Sequence, residues 1–192
     1  MTPEAVPDPI LVALDVASTF ERLSIPYVAV GSLASSFHGA PRSTDDVDFL
    51  VTLSPSSATR LAAALAPHYY VSADALREAA SGPRGGSFNA IHVPTAVKVD
   101  VFVAGDDRFE AERLRKRSPV AIGPGTLHID TAEHTILRKL EWYRRGGEVS
   151  ERQWNDVIGV LRAQGDRLDR EYLSAWAERL GVSDLLDRAL NR

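Results

Sequence analysis

The 192-residue sequence predicts an α+β fold, a sheet with flanking helices followed by a C-terminal helical bundle. Three observations carry this. Apolar runs of strand length recur between residues 27 and 129, separated by stretches of helical period. Two of these runs, 87–93 and 96–103, join tightly at Pro94-Thr95 and so read as antiparallel neighbours. From residue 131 the period turns helical and stays so, which divides the chain into an α/β part, 1–130, and a helical part, 131–192.

Residues 1–8 are acidic and proline-rich and are expected to be poorly ordered. Residues 10–23 carry Leu11, Leu14, Ala17 or Ser18, and Phe20 or Glu21 at helical spacing, and Pro26 closes the segment. The run 27–30 reads as a buried strand. It stops at Gly31-Ser32, where a small pair lets the backbone turn tightly into a short helix, 33–38, ending near Gly39. After the loop 40–45, a second strand carries Asp46 and Asp48 at alternate positions and continues through Phe49, Leu50 and Val51. Ser54-Pro55 opens a helix over 56–65, because proline in a first turn costs little. Residues 69–71 form a short strand, 74–80 a short helix, and 81–86 (SGPRGG) a break.

In the strand 96–103, Val97, Val99, Val101 and Val103 share one face, and Lys98, Asp100 and Phe102 the other. The run 108–117 reads as a helix with five basic residues against Glu110 and Glu112, either a solvated face or a local patch for a phosphate backbone. Short strands 118–122 and 126–129 surround the turn Gly123-Pro124-Gly125. Asp130 or Thr131 then caps a helix to Arg145 that buries Ile136, Leu137, Leu140 and Tyr143, and Gly146-Gly147 ends it. Helices from Ser150, Asp169 and Ser183 follow. They carry Trp154, Val157, Ile158 and Leu161; Tyr172, Leu173, Trp176 and Leu180; and Leu185, Leu186 and Leu190.

The composition bounds the function. With 44% hydrophobic and 25% charged residues the chain is an ordinary globular one, and its formal charge of −4 restricts any nucleic-acid contact to a local patch. There is no cysteine, hence no thiolate ligand or nucleophile, which fits a reducing compartment. The N-terminus is unlike a signal peptide and the apolar runs are too short to span a bilayer, so the expectation is a cytoplasmic protein without a membrane partner.

The chemistry gathers around residues 27–52. Alternation puts Asp46 and Asp48 on one strand face, where two like charges repel unless a cation or a proton is shared, and their oxygens suit a hard cation. Asp100, in the middle of an apolar strand, needs a partner of its own, which is a metal, Lys98 or an arginine such as Arg42. Gly31-Ser32 is either a tight turn with Ser32 as helix cap or a phosphate-facing helix start.

The pattern of an apolar strand, Gly31-Ser32, a short helix, Gly39, Arg42, Thr44 and then Asp46-Val47-Asp48 resembles the DNA polymerase beta-like nucleotidyltransferase superfamily. Within it, the loop from His38-Gly39 to Arg42-Ser43-Thr44 is most similar to small bacterial nucleotidyltransferase-like proteins related to toxin components of type IV toxin-antitoxin and abortive-infection systems. Aminoglycoside, lincosamide and tRNA nucleotidyltransferases share that fold. The resemblance implies a nucleotidyltransferase fold with a mixed, mostly antiparallel sheet and a catalytic 1–130 part.

It further implies Asp46, Asp48 and Asp100 as catalytic residues and ligands of one or two Mg2+ or Mn2+ ions. Asp100 on the strand 96–103 is the acid that activates the acceptor hydroxyl. Gly31, Ser32, Arg42, Thr44, Lys98 and Lys139 are assigned to the bound NTP. Lys139 is either a phosphate contact or an ion pair with Asp156 that joins two helices. The implied reaction moves a nucleoside monophosphate from an NTP to a hydroxyl of RNA (tRNA included), a protein or a small molecule. The alternative is a non-catalytic protein of the same fold that acts as a binding partner, with a cognate antitoxin or similar protein. Gly31-Ser32 stands where many close relatives have two glycines, and no motif identifies the base.

Overall fold

The computed structural model describes residues 8–82, 85–123 and 125–192. The expectation for residues 1–8 lies, apart from Asp8, outside the described residues, as do Pro83 and Arg84 of the break and Pro124 of the turn. In chain order the elements are α1 (Asp8–Arg22), β1 (Tyr27–Ala29), α2 (Gly31–His38), β2 (Asp46–Val51), α3 (Pro55–Leu65), β3 (Tyr69–Val71), α4 (Ala73–Ala79), β4 (Gly86–His92), β5 (Lys98–Val103), α5 (Arg108–Lys116), β6 (Ser118–Ile122), β7 (Gly125–Ile129), α6 (Ala132–Arg145), α7 (Glu151–Gln164), α8 (Arg170–Leu180) and α9 (Ser183–Leu190). They form two compact units. One comprises residues 8–30 with Thr44–Ile129, the other Gly31–Ser43 with Asp130–Arg192.

The first unit is built on a seven-stranded sheet of order β3-β4-β5-β2-β1-β7-β6. The pairs β1/β2, β3/β4, β4/β5 and β6/β7 are antiparallel, and β1/β7 and β2/β5 are parallel, so the sheet is mixed and mostly antiparallel. One sheet face carries Val47, Phe49, Val51, Val99, Val101 and Val103, all buried. Against β1 and β2 on this face lies α1, whose Phe20 ring meets those of Tyr27 and Phe49 at 5.5 and 5.3 Å. The buried stripe of α1 is Val12, Ala13, Val16, Ala17 and Phe20, while Leu11 is 43% exposed. The sequence placed Leu11 in that stripe. Residues 11–14 are all apolar, so spacing alone left the helix rotation open. Tyr69 ties β3 to α1 through a 2.7 Å hydrogen bond to Asp15 Oδ2.

On the other face Leu114 of α5 packs with Val28, Val30 and Leu50, and Phe102 and Ala104 lie against them. This face also carries the candidate carboxylates. The predicted strand 96–103 is shorter than expected. β5 begins at Lys98, because Ala96 has a left-handed φ of 58° and donates its N–H to His92 O at 2.8 Å, which makes 93–97 the turn.

The second unit is the helical bundle α6–α9 together with α2. Side chains cap three of the bundle helices: Thr131 accepts from His134 N, Ser150 from Gln153 N and Asp169 from Tyr172 N. Gly181, in the left-handed region at φ 69°, ends α8. Buried Ile136, Leu137, Leu140, Trp154, Val157, Ile158, Leu173, Leu185 and Leu186 form its core. Tyr143, expected to be buried, is half-exposed and lies 5.2 Å from the Trp154 ring, with Arg188 over both rings. Short Gly39 lets α2 approach α7, since a Cβ there would stand 2.8 Å from Val160 N and 2.9 Å from Gly159 C.

Candidate functional site

In the first unit, parallel pairing of β2 on β5 sets Asp48 directly opposite Asp100 and Asp46 opposite Lys98. Paired residues share a sheet face, so all four side chains rise from the same side. β4 extends this face with Asn89 opposite Asp100 and Ile91 opposite Lys98. Asp46 is exposed, and Asp48 and Asp100 are half-buried. The partner of Asp100 is Lys98, whose Nζ donates to Asp100 Oδ2 at 2.7 Å. That hydrogen bond raises the Lys98 pKa above the usual lysine value; desolvation opposes the shift, and the charges of Asp100, Asp46 and Asp48 add to it. The lysine ammonium thus already senses three carboxylates. Thr44 Oγ1 donates to Asp46 O at 2.9 Å and fixes the start of the strand.

Oxygen-only donors on two adjacent strands fit a hard divalent cation in kind and in register. The side chains as they stand are not gathered into a cluster: among the described residues no three His, Asp or Glu side chains form a group that could hold a metal ion. The Lys98 ammonium on Asp100 offers a physical reason, since it satisfies that carboxylate with a positive charge of its own.

In the second unit, Gly31 takes a left-handed φ of 62°, the backbone freedom that glycine supplies at the turn into α2. Arg42 makes a two-pronged pair with Asp156, Nε to Oδ1 at 3.0 Å and Nη2 to Oδ2 at 2.9 Å. The same Nη2 donates to Ser32 Oγ at 2.7 Å. Lys139 Nζ donates to Asp156 Oδ2 at 2.7 Å and to Gln153 Oε1 at 3.2 Å, and Ser35 Oγ to Asp156 Oδ2 at 3.3 Å. Burial pushes the Asp156 carboxyl up, but the hydrogen bonds and charges of Arg42 and Lys139 outweigh it and hold the group below the usual carboxylate range. Of the two roles considered for Lys139, the ion pair with Asp156 that joins α6 to α7 is present.

Sequence reasoning missed Arg152, on the first turn of α7, whose Nη2 donates to Ser32 Oγ at 3.2 Å. Nothing local signals it, because 120 residues separate the two. It also missed a buried network in which His134 bonds Asp130 Oδ1 through Nδ1 at 3.1 Å and the Tyr172 hydroxyl through Nε2 at 2.7 Å. Satisfied at both ring nitrogens, this histidine pins α8 to α6. The basic run 108–117 is largely committed. Arg113 is buried, and Arg115 and Lys116 share Glu112 at 2.7 and 3.8 Å.

No protein-family model matches the sequence, and no curated protein does. Solved structures do match. An antigenic nucleotidyltransferase-like protein from Paracoccidioides brasiliensis is 15% identical, with a TM-score of 0.58 over 97% of this chain and 94% of that one. The antibiotic-resistance factor ANT(2'')-Ia, in complex with adenylyl-2''-tobramycin, is 12% identical, with a TM-score of 0.60 over 88% and 97% of the two chains. The lincosamide antibiotic adenylyltransferase LnuA, lincomycin-bound, is 11% identical, with a TM-score of 0.52 over 82% and 98%. At such identities the likeness is one of fold. The chain shares the fold of these structures. Among the described residues no helix is long and apolar enough to cross a membrane.

Proposed function

We propose that the protein is an Mg2+-dependent nucleotidyltransferase that moves a nucleoside monophosphate from an NTP to an acceptor hydroxyl. The observation that carries this reading is the β2/β5 register, which sets Asp48 opposite Asp100 with Asp46 on the same face. Lys98 offsets part of the negative charge of the three carboxylates on this face, and a divalent cation would offset the rest of their repulsion. The fold supports the reading, and two structures of that fold are an adenylyltransferase and a complex with an adenylylated antibiotic, which favours ATP among the donors.

Asp46, Asp48 and Asp100 would hold one or two magnesium or manganese ions. A bound Mg2+ supplies neutralisation of the triphosphate and a lower pKa for the attacking hydroxyl. Asp100 is the group that receives the acceptor's proton. Lys98, held on Asp100, balances the carboxylates before a cation arrives and offsets charge in the transition state. Gly31 frees the turn that presents Ser32, and Ser32, Arg42 and Thr44 are assigned to the nucleotide, while Lys139 is held by Asp156 and Gln153. The products are the nucleoside monophosphate ester of the acceptor, whether RNA, protein or small molecule, and pyrophosphate.

A second reading has one observation in its favour. The Lys98–Asp100 pair suits a protein that keeps the fold while its catalysis has lapsed and that acts through a partner such as a cognate antitoxin. Incubation with α-labelled NTPs and Mg2+ separates the two. The catalytic reading predicts labelled ester and free pyrophosphate, lost in Asp48→Asn (D48N) with the fold intact. Transfer retained in purified D48N contradicts it.

A further inference from the structure

We propose that Arg152, and not Lys139, is the cation of the helical unit that grips a polyphosphate chain, with Ser32 and Arg42 beside it. The inference rests on the nucleotidyltransferase reading for its natural ligand. Lys139 is poorly suited to the task. It is buried, 6% exposed, and its ammonium is directed at Asp156 and Gln153. It is a strut between α6 and α7. Arg42 is engaged at all three nitrogens, Nε and Nη2 on the Asp156 carboxylate and Nη1 on Ser43 O at 3.3 Å, while Nη2 also reaches Ser32 Oγ.

Arg152 differs from both. It is exposed and hydrogen-bonds the Ser32 hydroxyl, with no carboxylate in ion-pair range among the described residues. Two guanidiniums therefore converge on a single neutral oxygen, at 2.7 and 3.2 Å. Like charges brought that close repel unless an anion lies between them. Asp156 does not serve both, because its oxygens are taken by Arg42, Lys139 and Ser35. Arg152 thus brings a second guanidinium to Ser32 beside Arg42 without a carboxylate of its own among the described residues. The planar fork of a guanidinium matches two oxygens of one phosphate or of adjacent phosphates. The ligand chemistry is a polyphosphate chain, either the tail of an NTP or released pyrophosphate. Asp156 is a positioning residue here: its grip orients Arg42 toward Ser32.

The test is calorimetric titration of the full chain with sodium tripolyphosphate, pyrophosphate and inorganic phosphate without metal, and separately with Mg-ATP. The proteins compared are wild type, Arg152→Ala, Arg152→Lys and Lys139→Met. Tripolyphosphate or pyrophosphate binding is expected to weaken about ten- to hundred-fold in R152A, the loss typical of one hydrogen bond to a charged group. R152K is expected to recover part of it, because a point charge lacks the fork. K139M is expected to lower stability while folded protein still binds the chain. Equal affinity of R152A and wild type overturns the inference, as does a wild type that binds Mg-ATP but no polyphosphate, and both results leave the nucleotidyltransferase reading standing. Arg152-dependent polyphosphate binding without any nucleotide binding or transfer upholds the site and sinks that reading instead.

Discussion

Replacing Asp156 by alanine tests the electrostatic centre of the helical unit. The Asp156 side chain is 11% exposed and joins the Lys139 side chain, 8% exposed, to that of Arg42, 26% exposed. Truncation takes the Asp156 charge away from the buried Lys139 ammonium, whereas Arg42 can turn toward water and loses less. Breaking a buried pair by removing one partner costs about 3–5 kcal/mol, against about 0–1 kcal/mol for an exposed pair. All three tryptophans, Trp142, Trp154 and Trp176, belong to this unit, so urea unfolding followed by tryptophan fluorescence reports on it directly. D156A should lose about 3–5 kcal/mol. The double variant Lys139→Met with Asp156→Leu should recover most of that, because an apolar pair carries no desolvation cost. A loss below about 1 kcal/mol would refute the burial argument. The pH dependence has a fixed sign. The folded Asp156 pKa lies below its unfolded value, near 3.9 for a free aspartate, so its contribution is complete above about pH 4 and is lost as pH falls through the lowered folded value. D156A should therefore show a shallower acid limb than wild type.

Two further predictions concern packing. Gly39→Ala pushes a Cβ into the Val160 and Gly159 backbone, which cannot yield as a side chain would, so α2 must shift from α7 at about 1–3 kcal/mol in the same fluorescence assay. No measurable change there would mean that the helices are not in close approach. Tyr69→Phe deletes the bond to Asp15 that ties β3 to α1 and should cost about 1 kcal/mol by circular dichroism, with no change in the tryptophan signal of the helical unit.

Much of the fold is legible in local chemistry. Ser54-Pro55, Asp169 and the Gly146-Gly147 stop fix helix ends because caps and breakers act within a few residues. Alternation along 98–103 gives the faces of β5 correctly because a period of two admits one answer. Strand order is a different matter. That β5 lies between β4 and β2, and β7 beside β1, depends on crossovers that leave no local trace. The same limit applies to the charged groups. Asp100 takes Lys98, two residues away on its own strand face, a pairing visible in the alternation. Arg42 takes Asp156 across 114 residues, and Arg152 reaches Ser32 across 120, distances over which spacing carries no information. The ambiguous rotation of α1 shows the converse, that an all-apolar run gives a periodicity with no phase.

We propose that Asp46 and Asp48 belong to a divalent-cation site for a nucleotide. The most direct measurement is calorimetric binding of ATP, GTP, CTP and UTP, with and without Mg2+, to wild type and to the Asp46→Asn/Asp48→Asn double variant. Mg2+-dependent binding of at least one NTP is expected, lost in the double variant while its unfolding transition stays in place. NTP binding that is indifferent to Mg2+ and unchanged in the double variant would contradict it.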